Sequence, residues 1–512
     1  MLAGSRQNRY AQFGAEKEDG IAAAGKSADL RTEGTCVQPY MELRNMVTRI
    51  PCSGSPRRLL RAENAGGDTG ATEVIGGRLE LMNQVLILHY HEIWLKGGNK
   101  RFFLSRLIKA IKESLADLPV ASLEWVADRL LLTSQSEAAV PAMRERLRRV
   151  FGLAYIATAV QTSADLAELG PAACGLMTQA DPLTFAVRAK IADHDFPLNS
   201  MELERALGRV ILDHLRARRG DVRVHLNSPQ VTCWVEVLPG KALVYVNRIE
   251  AAGGLPAATG GRLIVLLSGG FDSAVAAYKM MRRGAHLSFV HFYATPSPSQ
   301  SSSRPVAEEI VRTLTPYQFT SRLYRVPFDH IQRQIVAGAH QSFRVLLYRR
   351  MMGRIARAIA RAERALGLVT GDSVSQVASQ TLHNLAAIDR GLDLPVYRPL
   401  AGDDKEEILR LARRIGTYRI SCEPFEDCCP RFLPTSPALF ANPADLDRAE
   451  TGLDIEALMR MGLEGTSAVG FTFERGEIHV REGLPRRFLN LLAHHGAGTT
   501  LPDKEKAATP QP

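Results

Sequence analysis

None of the seven cysteines in this 512-residue chain forms a Cys-x-x-Cys pair, which argues against a structural zinc site. Seven over this length do not make a disulfide scaffold either, and a reducing cytoplasm is the expected setting. No run of ~18 uncharged apolar residues occurs, so no segment reads as a membrane span. The start has no apolar leader core, and Glu16, Asp19 and Asp29 argue against an organelle transit peptide. Residues 1–81 also lack any sustained helix or strand period. They are expected to be a disordered extension, or to lie upstream of a true start at Met82.

What is present is ordinary for a globular protein. The apolar fraction is 45%, and the length calls for about two to four domains. A net charge of +10 favours a polyanionic partner, although an Arg-rich proteome would produce the same excess. Cys174 and Cys233 stand alone and are expected to be buried and inert, whereas Cys422, Cys428 and Cys429 cluster near the end.

Periodicity sharpens at Gln84. Val85–Leu88 reads as a strand, and Asn99 as the cap of a helix carrying Leu104, Leu107, Ile108, Ile111 and Leu115 on one face. Strands at 123–126 and 130–132 and a helix at 138–150 follow, an order that suggests a small ferredoxin-like α+β domain. A second α+β segment holds strands at 183–187 and 222–226, a helix at 202–218, and a hairpin around Pro239-Gly240. Residues 251–261 form a Gly/Pro/Ala linker. Beyond Arg262 strands and helices alternate, with strands at 263–267, 287–291, 323–326 and 365–369, as in a doubly wound parallel sheet. Ligands of such sheets sit outside the carboxyl ends of the strands. Three chemistry-bearing stretches fall there: Ser268-Gly269-Gly270-Phe271-Asp272-Ser273, His291-Phe292 and Thr370-Gly371-Asp372.

The first of these is the strongest signal. A Gly-rich turn between a buried strand and a helix start points backbone N–H groups at a phosphate, where the helix dipole also favours negative charge. No Lys follows the glycines, so this is not a Walker A loop. The plain alternative is a turn that binds nothing. The run SGGFDS resembles the PP-loop of ATP pyrophosphatases, which cleave ATP to AMP and pyrophosphate.

A wider resemblance covers residues 84–440. The stretches His91–Gly97 and Asn99–Phe103, Gly253–Pro256 with Thr259–Gly261, and Val369–Asp372 with Gln376–Leu382 resemble, in order, blocks of the bacterial tRNA sulfurtransferase (ThiI) family. So do Arg398–Leu400 with Asp404-Lys405, Ile415–Tyr418 and Pro424–Cys429. The resemblance implies α+β N-terminal ferredoxin-like (82–143) and THUMP RNA-binding (144–248) domains. A linker (249–261) then leads to an α/β PP-loop ATP pyrophosphatase domain (262–492) with a doubly wound parallel sheet. The tail, 493–512, is expected to be disordered.

The implied chemistry is ATP-dependent formation of 4-thiouridine at position 8 of tRNA, through an adenylated uridine. Ser268, Gly269, Gly270 and Ser273 would hold the pyrophosphate, and Asp272 would position Mg²⁺. Leu266, Leu267, His291, Phe292, Gly371 and Gln380 would frame the nucleotide. Arg350 and Lys405 are cations suited to the polyphosphate; for Arg350 the alternative is a surface residue on a basic helix. Cys428 would be the nucleophile or persulfide carrier, with Cys429 the runner-up. The family usually has Glu where this chain has Asp372, and the segment 296–303 reads as a lid. Too few residues follow Ser436 for the rhodanese domain of some members, so a cysteine desulfurase is the expected sulfur donor. Assemblies open to the chain include a homodimer, and a link to sulfur transfer for the thiazole of thiamine comes with the family. Competing readings are another PP-loop tRNA enzyme, such as a 2-thiouridylase or lysidine synthase, and an RNA-binding protein with a dead nucleotide site.

Overall fold

The computed structural model describes residues 84–294, 303–424 and 437–496, with side chains described to residue 493. The expected extension 1–81, most of the lid segment 296–303, the Cys428-Cys429 pair and the tail from 497 lie outside the described residues. Among those described, no helix is long and apolar enough to cross a membrane.

The first half is built on one nine-stranded sheet. Its ferredoxin-like part runs β1 (Gln84–His89), α1 (Lys100–Ser114), β2 (Val120–Val126), β3 (Arg129–Ser134), α2 (Val140–Leu147) and β4 (Tyr155–Thr162). The apolar face foreseen for α1 is the buried one: Leu104, Leu107, Ile108 and Ile111 pack with Leu86 and Leu88 of β1. Asn99 does sit at the cap position of α1, but its side chain makes no cap hydrogen bond. The second part contains α3 (Leu166–Ala180), β5 (Thr184–Ile191), α4 (Ser200–Arg218), β6 (Arg223–Val224), β7 (Val231–Leu238), β8 (Lys241–Tyr245) and β9 (Arg248–Glu250). The strand expected at 222–226 is thus only two residues long, and α2 crosses the boundary expected at 143/144.

β4 joins the two parts. It pairs with β1 on one side and with both β8 and β9 on the other. A buried charge cluster spans the same junction. Glu236 of β7, 1% exposed, meets the Arg129 guanidinium of β3 and accepts a 2.6 Å hydrogen bond from Tyr245 Oη, while His89 Nε2 of β1 lies 3.0 Å away. Burial alone would raise the Glu236 pKa, but these partners outweigh it and hold the carboxyl well below its usual range. Burial pushes the Cys233 thiol up to about 12, so this cysteine is a core residue rather than a nucleophile.

The second half is a seven-stranded sheet. Its elements are β10 (Arg262–Leu266), α5 (Phe271–Arg282), β11 (His286–Tyr293), α6 (Ser303–Leu314), β12 (Thr320–Pro327), α7 (Asp329–Gly338), α8 (Arg344–Glu363) and β13 (Leu368–Val369). There follow α9 (Leu382–Asp389), β14 (Val396–Tyr397), α10 (Lys405–Arg414), α11 (Tyr418–Ser421), α12 (Pro443–Ala449), α13 (Ile455–Glu464), β15 (Ser467–Glu474), β16 (Glu477–Glu482) and α14 (Arg486–Gly496). The strand order is 14-13-10-11-12-15-16. Strands 14, 13, 10, 11 and 12 are parallel, the doubly wound arrangement that was expected, although the strand expected at 365–369 is only Leu368–Val369 and β14 was not foreseen. β15 and β16 close the edge antiparallel, which the alternation of strands and helices did not reveal. Separate apolar clusters cover the two faces, one around α8 and one around α5 and α6. The order steps outward in both directions from β10, so the topological switch lies beside that strand, where α5 begins.

Candidate active site at the start of α5

β10 delivers the chain into the turn 268–270. Gly269 has φ +99°, a left-handed conformation that a side chain would disfavour. Gly270 is the N-cap of α5 and carries no side-chain cap. The Ser273 hydroxyl donates to Gly270 O at 3.0 Å and lies 3.3 Å from Ser268 Oγ, bracing the turn from within. The helix therefore presents an uncapped positive end to an incoming anion.

Two further segments close on this end. Lys405 Nζ reaches both carboxylate oxygens of Asp272 at 3.0 Å and lies 4.3 Å from the centre of the Phe271 ring. Its position is fixed by a capping box: Asp404 accepts from Glu407 N at 2.8 Å and the Glu407 carboxylate accepts from Asp404 N at 3.3 Å. Lys405 is the first residue of α10, so a second helix start stands beside the first. Lys279 of α5 ion-pairs with Asp403, holding the two helices together. From the other side, the loop after β13 presses Gly371 onto the first turn of α5. A Cβ there would lie 2.6 Å from Ser273 N and 2.8 Å from Asp272 C.

Asp372 organises that loop. It is 4% exposed and receives Arg349 at 2.6 Å, Thr370 Oγ1 at 2.7 Å, Gln380 Nε2 at 3.1 Å and Arg398 at 3.3 Å. Burial pushes its pKa up, but Arg349, Thr370, Arg398 and Gln380 outweigh it and hold the carboxyl below the usual carboxylate range. The ionised form therefore stabilises the fold above the unfolded-state pKa, and that contribution is lost as pH falls through the depressed folded value. Asp372→Asn is expected to lose about 3 kcal/mol at pH 7. Urea unfolding should show the gap from wild type narrowing below about pH 4; a gap independent of pH would mean that Asp372 is not held ionised.

The other residues singled out from the sequence are placed as follows. Leu267 and Phe292 are core residues, 2% and 5% exposed, and Phe292 packs edge-on to Phe328. Leu266 is partly buried at the end of β10, where the turn begins. His291 is 1% exposed, with Nδ1 2.8 Å from Leu267 O and Nε2 2.9 Å from Ser303 Oγ, so it braces the strand that carries the turn. Arg350 is not a surface residue: it is 2% exposed and donates to Asp447 at 2.6 Å and to Glu450 at 3.0 Å, both outside the turn 268–270. Its neighbour Arg349 is the α8 cation that serves the site. Successive helix residues point about 100° apart, and the Arg-rich sequence of α8 does not say which one faces the loop. Cys422 is exposed. Among the described residues no cluster of three or more His, Cys, Asp or Glu could hold a metal.

Known proteins resemble this chain over most of its described length. Residues 85–157 match the ThiI ferredoxin-like domain, 168–247 the THUMP domain, and 258–455 the family described as thiamine biosynthesis protein (ThiI). A probable tRNA sulfurtransferase of Thermus thermophilus is 42% identical over 389 residues, covering 76% of this chain and 94% of the relative. One from Moorella thermoacetica is 38% identical, covering 74% and 95%. Among solved structures, a 4-thiouridine synthetase–RNA complex with bound ATP superposes with a TM-score of 0.65 at 30% identity, covering 78% of this chain and all of that one. With three domain models of the family matched in order and a relative 42% identical over 94% of its own length, the chain belongs to the ThiI family of tRNA sulfurtransferases.

Proposed function

We propose that this enzyme replaces O4 of uridine 8 in tRNA by sulfur, consuming ATP and making 4-thiouridine. The observation that carries the reading is the Asp272–Lys405 clasp at the uncapped start of α5, in a chain 42% identical to a probable tRNA sulfurtransferase. ATP would lie with its phosphates at that helix start, over Ser268, Gly269, Gly270 and Ser273. Lys405 would turn from Asp272 toward the polyphosphate. Mg²⁺ fits the donor set, because this ion is commonly held by one or two carboxylates plus substrate phosphates, and Asp272 supplies one carboxylate. When bound it would neutralise charge on the phosphates. Asp372, Arg349, Gln380 and Gly371 position the loop that closes over the nucleotide.

Attack of uridine O4 on the α-phosphate would release pyrophosphate and make AMP the leaving group, which an oxide ion cannot be. The outer sulfur of a persulfide on Cys428, loaded by a cysteine desulfurase, would attack C4, and AMP would depart with the former O4. A second thiol would then attack Cys428 Sγ and break its S–S bond, leaving the sulfur on uridine and a disulfide that an external thiol must reduce. A free thiol has pKa about 8.5, so a positive pocket would raise the reactive thiolate fraction. The sheet module would grip the RNA by shape and phosphates. The same sulfur could be passed toward thiamine thiazole, and the setting would be the cytoplasm.

Nucleoside mass spectrometry tests this in a strain without its own 4-thiouridine synthase. The wild-type chain is expected to restore 4-thiouridine and Cys428→Ser to restore none. Absence of the nucleoside with both, despite folded protein and a matched desulfurase, would reject the reading.

A further inference from the structure

A cleft of about 480 Å³ opens between the sheet module and the catalytic half, and it shares no lining residue with the phosphate turn. Five arginines line it: Arg148 and Arg149 just beyond α2, Arg312 on α6, and Arg413 and Arg414 in the last turn of α10. Two carboxylates line the cleft with them, Glu145 and Glu250, while Glu309 and Glu406, outside the lining, make exposed pairs with Arg312 at 3.3 Å and Arg413 at 4.0 Å. The pairs of the lining carboxylates are solvent-exposed too: Arg148–Glu145 at 3.1 Å, Arg149–Glu145 at 3.4 Å and Arg414–Glu250 at 3.3 Å. Such pairs contribute little to stability and exchange readily for another anion. Arg413 and Arg414 also complement the dipole of α10. That accounts for their own sign, but not for three more arginines brought to the same cleft from two other elements.

We propose that this cleft is a second contact surface for the phosphodiester backbone of the RNA substrate. The inference rests on the reading of the chain as a tRNA-modifying enzyme. Small-molecule sites are mostly apolar with a few placed polar groups; this lining has the opposite balance, with cations spread over both walls. Its aromatic residues are not free to stack on bases. Tyr278 and Tyr317 pack edge-to-face at 5.2 Å, each also meets Phe151, and Phe473 packs against Phe319 at 6.3 Å. Phosphate contact is what remains. α10 links the two sites: its first residue, Lys405, meets Asp272, and its last, Arg414, lines the cleft. A ten-residue helix at ~1.5 Å per residue separates them by roughly 14 Å. Backbone seated in the cleft would touch both halves of the protein while a neighbouring nucleotide approached the turn.

The test uses the full chain with two double variants, Arg312→Gln/Arg414→Gln on the catalytic wall and Arg148→Gln/Arg149→Gln on the opposite one. Dissociation constants for tRNA are measured across a salt series, alongside ATP affinity and inorganic pyrophosphate binding. Each double variant is expected to bind tRNA about tenfold more weakly at low salt. The log–log salt slope should become shallower by roughly 0.7–0.9 for each phosphate that the variant no longer neutralises, with ATP affinity unchanged. Wild-type affinity and slope in both variants would overturn the proposal. Loss of pyrophosphate binding with an unchanged tRNA slope would also overturn it, and would make the cleft a small-anion site. A wild-type chain that does not bind tRNA would remove the functional reading itself, which separates the two failures.

Discussion

Gly371→Ala is expected to lower ATP-dependent turnover about 100-fold, because a displacement of about 1 Å at a reacting centre costs that much. The added methyl has nowhere to go. Its nearest neighbours are backbone atoms in the first turn of α5, Ser273 N at 2.6 Å and Asp272 C at 2.8 Å, and no side chain can rotate to make room. Either the loop carrying Asp372 lifts or the start of α5 shifts, and both move the phosphate turn relative to Lys405. Overpacking of this kind also destabilises, by about 2–3 kcal/mol. Pyrophosphate release in single turnover and urea unfolding read the two effects separately. An alanine variant with wild-type turnover would show that the loop need not sit on α5 during catalysis.

Asp272→Asn is expected to differ in kind, with a large loss of activity and almost none of stability. Lys405 is 44% exposed and Asp272 26%, so breaking their pair costs less than about 1 kcal/mol. Charge stabilisation at the phosphates is worth far more in the reaction, and turnover should fall about 10²–10³-fold. Lys405→Ala should produce a loss of the same order. The double variant should be little worse than either single change, since groups acting as one unit are not additive. Additive losses in ATP–pyrophosphate exchange would mean that the two residues act on separate steps.

The parallel core of the catalytic half was legible because β10 and β11 are largely apolar runs and, like the more mixed β12, each is followed by a helix. β16 was not, since it is an exposed edge strand that alternates charge with few apolar residues. α3 carries Pro171 inside it and two glycines, which erase its helical signature; its buried face of Leu169, Ala173, Cys174 and Met177 holds it in place. The phosphate turn could be read because its parts are adjacent in sequence. The support beneath it could not. Arg349, Asp372 and Arg398 come from three separate segments, and only the fold shows that they meet. The same helix made Arg350 look like a phosphate ligand, when its partners lie on α12 and just beyond it.

The double pairing of β4 bears on how such proteins can be rearranged. The ferredoxin-like and THUMP segments behave like rooms with a common wall: removing either exposes one long flank of β4. Cutting at the boundary between the matched segments would leave its backbone groups on that flank without partners, an open edge of the kind that recruits other chains into aggregates. It would also strand Glu236 apart from Arg129, each a charge placed for the other. A graft meant to give this enzyme a new RNA specificity therefore has to carry residues 84–250 as one piece, and the natural place to make the join is the glycine-rich stretch that follows.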